Sequence, residues 1–261
     1  MLENVVGFAS SNGGQDLYGT IQKLNELGYA CDILTLDAAR FLPQSRPRLF
    51  IVGVLKSSPR RPLLQLSDVR PQWIIKFMLN HPQLTFNTPF LPPLPNTCEQ
   101  TLNDSVERFP ENHSIWWDSE KLDLFLSSLS AINVRRLDLL RRSKDVSCAS
   151  AYRRTRYGKP VWEIRPDSLS GCLRTARGGS SRQALVEAGR GEVRVRWMTA
   201  REYSILQGAP KLIFGNATES QAKFALGDAV CVPVIEWLGA HYLIPAVRSA
   251  SPKFSHSGHN D

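Results

Sequence analysis

The stretch QSRPRLFIVGV, Gln44 to Val54, decides how this chain is read. Gln44, Arg46 and Arg48 alternate, so an extended backbone projects all three long polar side chains to one side. The run LFIVGV behind them is apolar enough to be a buried strand. Three such side chains in front of a sheet strand predict a ligand-facing lip. The plainer alternative is arginines that keep a strand edge soluble.

Working outward, NVVGF (residues 4–8) reads as the end of a strand and SSNGG as a turn. Leu17, Ile21, Leu24 and Leu27 then mark one face of a helix that stops at Gly28. CDILTLDA reads as a further strand. This order predicts part of an open α/β sheet, without the glycine-rich loop that opens a cofactor-binding sheet. Residues 56–118 are proline-rich, and loops and short strands over a small core are expected there. One helix is expected from Ser119 to about Arg142, with Leu122, Phe125, Leu126, Leu129 and Ile132 on its apolar side.

KPVWEIR and EVRVRWM read as strands around the loop RTARGGSSRQ. Its paired glycines suit close backbone approach to a phosphate, or simply a surface turn. TARE, Thr199 to Glu202, has the spacing of a capping box and opens a helix ending at Gly208. A second helix is expected to end near Gly227. The last carries Val234, Trp237, Leu238 and His241, with Pro233 in its first turn, where no N–H is needed. The tail, 247–261, is expected to be disordered. Trp116 and Trp117 read either as a base-stacking pair or as buried aromatics.

The 261 residues are 42% apolar and 21% charged, the balance of a globular protein rather than a membrane or disordered one. The N-terminus lacks the basic region of a secretory signal. Five scattered cysteines, Cys31, Cys98, Cys148, Cys172 and Cys231, predict free thiols in a reducing, cytoplasmic compartment. Neither they nor the histidines have metal-ligand spacing, so no metal is expected. The net charge of +8 is uneven: residues 135–201 carry 15 Arg and 2 Lys against 6 acidic residues. Such arginine excess fits phosphates and base edges, and equally a solvated basic face.

Four stretches in order resemble the motifs of the DNA (cytosine-5) methyltransferase family. ENV, Glu3–Val5, is similar to its Glu-Asn-Val motif, and PQSRPR, Pro43–Arg48, to its Gln-x-Arg-x-Arg motif. RVRWMTAREYSILQGAP, Arg194–Pro210, resembles Arg-x-Leu-Thr-x-Arg-Glu with Leu-Gln behind it. GDAVCVPV, Gly227–Val234, resembles the closing Gly-Asn-x-Val motif, with Asp228 in place of Asn. The family's cofactor loop and Pro-Cys nucleophile motif precede Glu-Asn-Val, and no cysteine here follows a proline.

The resemblance implies a fold: part of a Rossmann-like, S-adenosylmethionine-dependent methyltransferase sheet with a smaller target-recognition domain inserted. Its expected boundaries are 1–55 for the catalytic part, 56–192 for target recognition and 193–246 for helices returning to the catalytic part. It also implies transfer of a methyl group from S-adenosylmethionine to C5 of a cytosine flipped out of double-stranded DNA, with its restriction-modification associations. The main cofactor loop and the nucleophile would come from a complementary N-terminal polypeptide. The alternative is a catalytically inactive DNA-binding remnant. No membrane partner is implied. Glu3 would serve N3 and the exocyclic amine, Arg48 or Arg46 would lie near O2, and Gln44 would orient that wall. Gly227, Asp228, Ala229 and Val230 would close the cofactor pocket. Arg174, Thr175, Arg177, Gly178, Gly179, Ser180 and Arg182 are the candidate DNA contacts.

Overall fold

The apolar run behind Arg48 forms the middle strand of a three-stranded sheet. The computed structural model describes residues 1–55, 64–156, 158–175 and 182–250. Strands β1 (Leu2–Val5), β2 (Tyr29–Asp37) and β3 (Pro47–Leu55) lie in the order β1-β3-β2. β1 runs antiparallel to β3, with Glu3 opposite Phe50 and Val5 opposite Arg48. Between β1 and β2 the SSNGG turn takes left-handed backbone at Asn12, Gly13 and Gly14 before helix α1 (Gln15–Glu26). Leu17 and Ile21 of α1 are fully buried, whereas Leu27 lies past the helix end and is exposed.

Two compact units divide the chain. The first takes residues 1–36, 47–94 and 234–261, and the second 37–46 and 95–233. These bounds differ from those expected, for a packing reason. Helix α2 (Gln72–Asn80), in the stretch expected to be irregular, buries Ile74 and Met78 against Leu17, Ile21, Ile33, Leu49 and Ile51. Residues 85–87 then line the β2 edge: Cys31 N–H donates to the Thr85 carbonyl at 3.1 Å and Asn87 N–H to the Cys31 carbonyl at 2.9 Å. The segment therefore belongs to the core of the first unit and seals a sheet edge that would otherwise be open.

A buried ion pair ties this core together. Arg70 donates to both carboxylate oxygens of Asp32, at 3.0 Å from Nε and 2.5 Å from Nη2, and also to the Pro89 carbonyl. Burial pushes the Asp32 carboxyl up to about 6, and the Arg70 hydrogen bond opposes that rise. Tyr242, whose hydroxyl donates to the Asn87 carbonyl at 2.9 Å, lies in the same unit and has its own pKa pushed up by burial.

In the second unit the expected long helix is two: α3 (Ser119–Ser127) and α4 (Ala131–Arg141), separated at Ser128–Ser130. They cover an antiparallel sheet of β4 (Ser147–Arg156), β5 (Lys159–Ile164), β6 (Gln183–Gly189) and β7 (Glu192–Trp197), in the order β5-β4-β6-β7. Alternation buries both faces. Ala149, Ala151, Ala184, Val186 and Ala188 pack with Phe125 and Leu137 of the helices. Cys148 and Leu185 point the other way, into a cluster with Leu173, Met198, Tyr203, Leu206 and Leu226.

That second cluster is built by α5 (Ala200–Leu206) and α6 (Glu219–Asp228). Helices expected to return to the catalytic part up to residue 233 therefore belong to the second unit. The Thr199 capping box is present, with Thr199 Oγ1 accepting from Glu202 N and Glu202 Oε2 from Thr199 N. The last helix starts with α7 (Val232–Leu238), passes a π turn at Gly239–Leu243 and continues as α8 (Ile244–Ala250), into the tail expected to be disordered; residues 251–261 lie outside the described residues. The 219–248 stretch reaches the length and apolarity of a membrane span, but Ala229 is extended (φ −66°, ψ 151°) and breaks it. A lipid-spanning helix must keep its backbone hydrogen bonds internal.

The Asp32 environment predicts a pH signature. Its folded pKa lies above the ordinary 3.8, so between about 4 and 6 the native state holds the proton more tightly than the unfolded chain. This group's contribution therefore falls as pH rises through that window and is flat above it. Urea unfolding of Asp32→Asn from pH 4 to 7 is expected to lack that decline. Its baseline stability should be lower, because Arg70 loses its buried partner.

Candidate functional site

In the first unit, β1 and β3 bring Glu3 and Arg48 together. Register places Val5 opposite Arg48 and Glu3 one pleat further on the same side. Arg48 Nε lies 3.2 Å from Glu3 Oε1, and the two side chains are only 15% and 17% exposed. Arg48 Nη1 also donates to the Pro47 carbonyl at 3.0 Å. A carboxylate beside a guanidinium presents an acceptor next to a donor fork. That pattern complements a planar edge carrying an amine, a ring nitrogen and a carbonyl.

Gln44 and Arg46 are spent differently. The alternation that predicts all three side chains on one lip applies to a strand, and β3 begins only at Pro47. Both residues belong to the second unit and are buried, at 0% and 4% exposure. Arg46 donates from Nη1 to the Leu173 carbonyl and from Nη2 to the Ala229 carbonyl, each at 2.8 Å. Gln44 Nε2 donates to the Leu206 carbonyl at 2.6 Å, and its Oε1 accepts from Leu173 N at 3.4 Å. Gln207 Nε2 donates to the Leu226 carbonyl at 2.7 Å and lies 3.3 Å from the Ala229 carbonyl. Side chains from two motifs thus hold main-chain carbonyls of a strap at 170–175 and of the joint after α6.

Gly227 is required by that joint. A Cβ there would lie 2.4 Å from the carbonyl carbon of Arg174 and 2.5 Å from Thr175 N. Asp228 accepts a hydrogen bond from the Thr175 hydroxyl. The expected cofactor-side residues Gly227 and Asp228 therefore pack against the expected DNA-side residues Arg174 and Thr175, within one unit. Asp228 and Val230 are exposed, Ala229 is half-buried, and Gly227 is buried. Arg174 is exposed and Arg182 half-buried, while Arg177, Gly178, Gly179 and Ser180 lie outside the described residues.

Trp116 and Trp117 are half-buried. Trp117 packs with Trp197 and Trp162 at ring distances of 5.0 and 5.6 Å, the buried-aromatic alternative. Alternation could not reveal Gln207 as part of the hub; only its place in the Leu-Gln pair hinted at it. All five cysteines are free thiols. Burial pushes Cys31 and Cys148 up to about 11, the wrong direction for a thiolate nucleophile. Among the described residues no group of His, Cys, Asp and Glu is arranged to hold a metal ion.

A family model for C-5 cytosine-specific DNA methylases matches residues 1–242. The chain belongs to that family. It is 32% identical over 122 residues to the Type II methyltransferase M.AgeI of Thalassovita gelatinovora, covering 46% of this chain and 27% of the relative. It is 25% identical over 250 residues to the Type II methyltransferase M.NgoBI of Neisseria gonorrhoeae, covering 90% of this chain and 58% of the relative. The chain thus spans less than two thirds of these relatives. The Entamoeba histolytica methyltransferase EhMeth shares the fold at a TM-score of 0.50 and 14% identity, over 96% of this chain and 62% of that one. The fold is α/β and Rossmann-like, and the family transfers methyl groups from S-adenosylmethionine.

Within this chain, the two motif arginines should separate in a stability assay. Arg46→Met leaves the buried carbonyls of Leu173 and Ala229 short of donors and is expected to cost about 1–3 kcal/mol in urea unfolding. Arg48→Met removes a partly exposed pair and should cost about 1 kcal/mol or less.

Proposed function

We propose that this chain carries the base-binding and DNA-recognition parts of a cytosine-5 DNA methyltransferase. The observation that carries the reading is the Glu3–Arg48 pair, 3.2 Å apart on adjacent strands. Attack at C6 of cytosine pushes electron density toward N3 and O2. Glu3 holds a proton at N3 and accepts from the exocyclic amine; Arg48 donates to O2. In the absence of a base, each side chain is the other's partner. Reaching them requires the cytosine to leave the duplex stack.

Gln44 and Arg46 act one step back. Their hydrogen bonds fix the 173–175 strap and the 229 joint, so we assign them positioning parts and Arg48 the base-side part. The strap leads into the basic loop, whose Arg174, Thr175, Arg177, Gly178, Gly179, Ser180 and Arg182 we retain as the DNA-contacting set. S-adenosylmethionine supplies the methyl group when bound. Of the residues here, Asp228 and Val230 are exposed to meet it, with Ala229 between them, and Gly227 is committed to the strap. They form only one wall of such a site.

Neither Cys31 nor Cys148 is set up as a thiolate, and none of the five cysteines follows a proline. We therefore propose that a complementary polypeptide bearing the Pro-Cys motif and the main cofactor loop furnishes the nucleophile. Labelled methyl transfer to mixed-sequence duplex DNA tests this, with the chain alone and with such a polypeptide supplied. Transfer is expected only in the mixture. Glu3→Gln or Arg48→Met should lower it about 10²–10³-fold, as loss of a positioned donor does, without unfolding the chain. Transfer by the chain alone would refute the shared-site reading. DNA binding without transfer in any mixture would favour a non-catalytic DNA-binding role.

A further inference from the structure

The sheet of the second unit carries an aromatic cluster that the reaction does not use. Trp117, Trp162 and Trp197 lie with ring centroids 5.0–5.7 Å apart, and Phe125 packs beneath them. Cations sit over it. Lys121 Nζ, in the first turn of α3, is 4.5 Å from the Trp117 ring centre and 5.2 Å from that of Trp197. Arg153, opposite Trp162 in the β4–β5 register, has its guanidinium carbon 6.0 Å from the Trp162 ring. Ala184 of β6 faces Trp197 of β7, and Arg182 lies immediately before β6, near enough for its charge to act on Lys121.

These three cations differ from the ion-paired arginines of this unit. Arg154 and Arg156 pair with Glu163, Arg165 with Asp167, Arg194 with Glu111 and Glu187, and Arg196 with Glu202. Among the described residues Lys121, Arg153 and Arg182 have no carboxylate within ion-pair distance, although all three are half-buried. Arg153 Nε is fully buried with no hydrogen-bond partner. Burial lowers the Lys121 pKa, with Asp118 opposing and the positive charge of Arg182 adding to the fall. Like charges held half-desolvated on stiff aromatic faces are costly unless an anion joins them.

We propose that Lys121, Arg153 and Arg182 form a binding site for the phosphates of the DNA backbone. The inference rests on the reading of this unit as the recognition region. It extends that region from the basic loop, to which Arg182 belongs, onto α3 and β4. Phosphates take the place of the missing carboxylates, and the tryptophans hold the Lys121 and Arg153 stems so that less side-chain freedom is lost on binding. The contacts position the duplex without reading bases.

The test is equilibrium binding of the full chain to mixed-sequence duplex DNA across a salt series. Lys121→Met, Arg153→Gln and Arg182→Gln are each expected to lower the slope of log K against log salt by about 1, equally on unrelated sequences. Lys121→Arg should restore it. Arg154→Gln, which removes an arginine already paired with Glu163, should change the slope less. Thermal melting guards against misfolded variants; if Arg153→Gln fails to fold, the Lys121 variants decide. Wild-type slopes in folded Lys121 and Arg153 variants would overturn the site while leaving the recognition reading intact. Absence of salt-dependent DNA binding by the wild-type chain would overturn that reading itself, and the site with it.

Discussion

Main-chain carbonyls in irregular segments need donors, and this constraint organises the second unit. The strap at 170–175 and the joint at 229–231 are neither helix nor strand. Their carbonyls cannot be satisfied by a ladder, and leaving one buried and unpaired costs about 1–3 kcal/mol. Arg46 meets the need at Leu173 and Ala229, Gln207 Nε2 also lies 3.3 Å from the Ala229 carbonyl, and Gln44 Oε1 accepts from Leu173 N. A guanidinium suits it because its planar fork reaches two carbonyls at once. Lysine, a point charge on a flexible stem, would not span Leu173 and Ala229 in the same way. Gly227 then allows the joint to lie directly on the Arg174–Thr175 backbone. Three motifs that look like separate signatures are thus parts of one hydrogen-bonded assembly.

Much of the architecture was legible where sequence periodicity and local chemistry agree. The strand after Arg48, the SSNGG turn, the Thr199 capping box and the breaks at Gly28 and Gly208 all follow from local rules. What was not legible has local causes too. β4 and β6 are built of SCASA and QALVEAG, small residues with little of the β-branched signal that marks a strand. They are strands because both faces are covered, which is tertiary information. Helix α2 hides among prolines, one of which, Pro71, stands at its N-cap. The α3–α4 break falls at Ser128–Ser130, where apolar spacing continues across the gap because both helices face the same core.

The site was legible in part for the same reason. Residue types and order pointed to Glu3, Arg48, Gln44 and Arg46 together, but alternation says which side a residue faces only inside a strand. Pro47 starts β3, so Arg48 obeys the rule and pairs with Glu3, whereas Arg46 and Gln44 lie before the strand and turn into the second unit's interior. A motif marks residues that matter without dividing those that touch a ligand from those that hold the residues that do.

Charge needs the same distinction. The arginine excess of residues 135–201 overstates what the surface offers, because Arg196 is fully buried against Glu202. That carboxylate accepts from Arg196, from Glu107 N at 2.9 Å and from Thr199 N at 2.8 Å, so every lone pair has work inside the protein. Such a pair adds little net stability over an apolar one of the same size, since desolvation offsets the attraction. Its effect is geometric: it locks the end of β7 to the start of α5 and draws in the 107–109 loop. The cations that matter for a polyanion are those the fold leaves uncompensated, and Lys121, Arg153 and Arg182 are half-buried members of that group near the tryptophans.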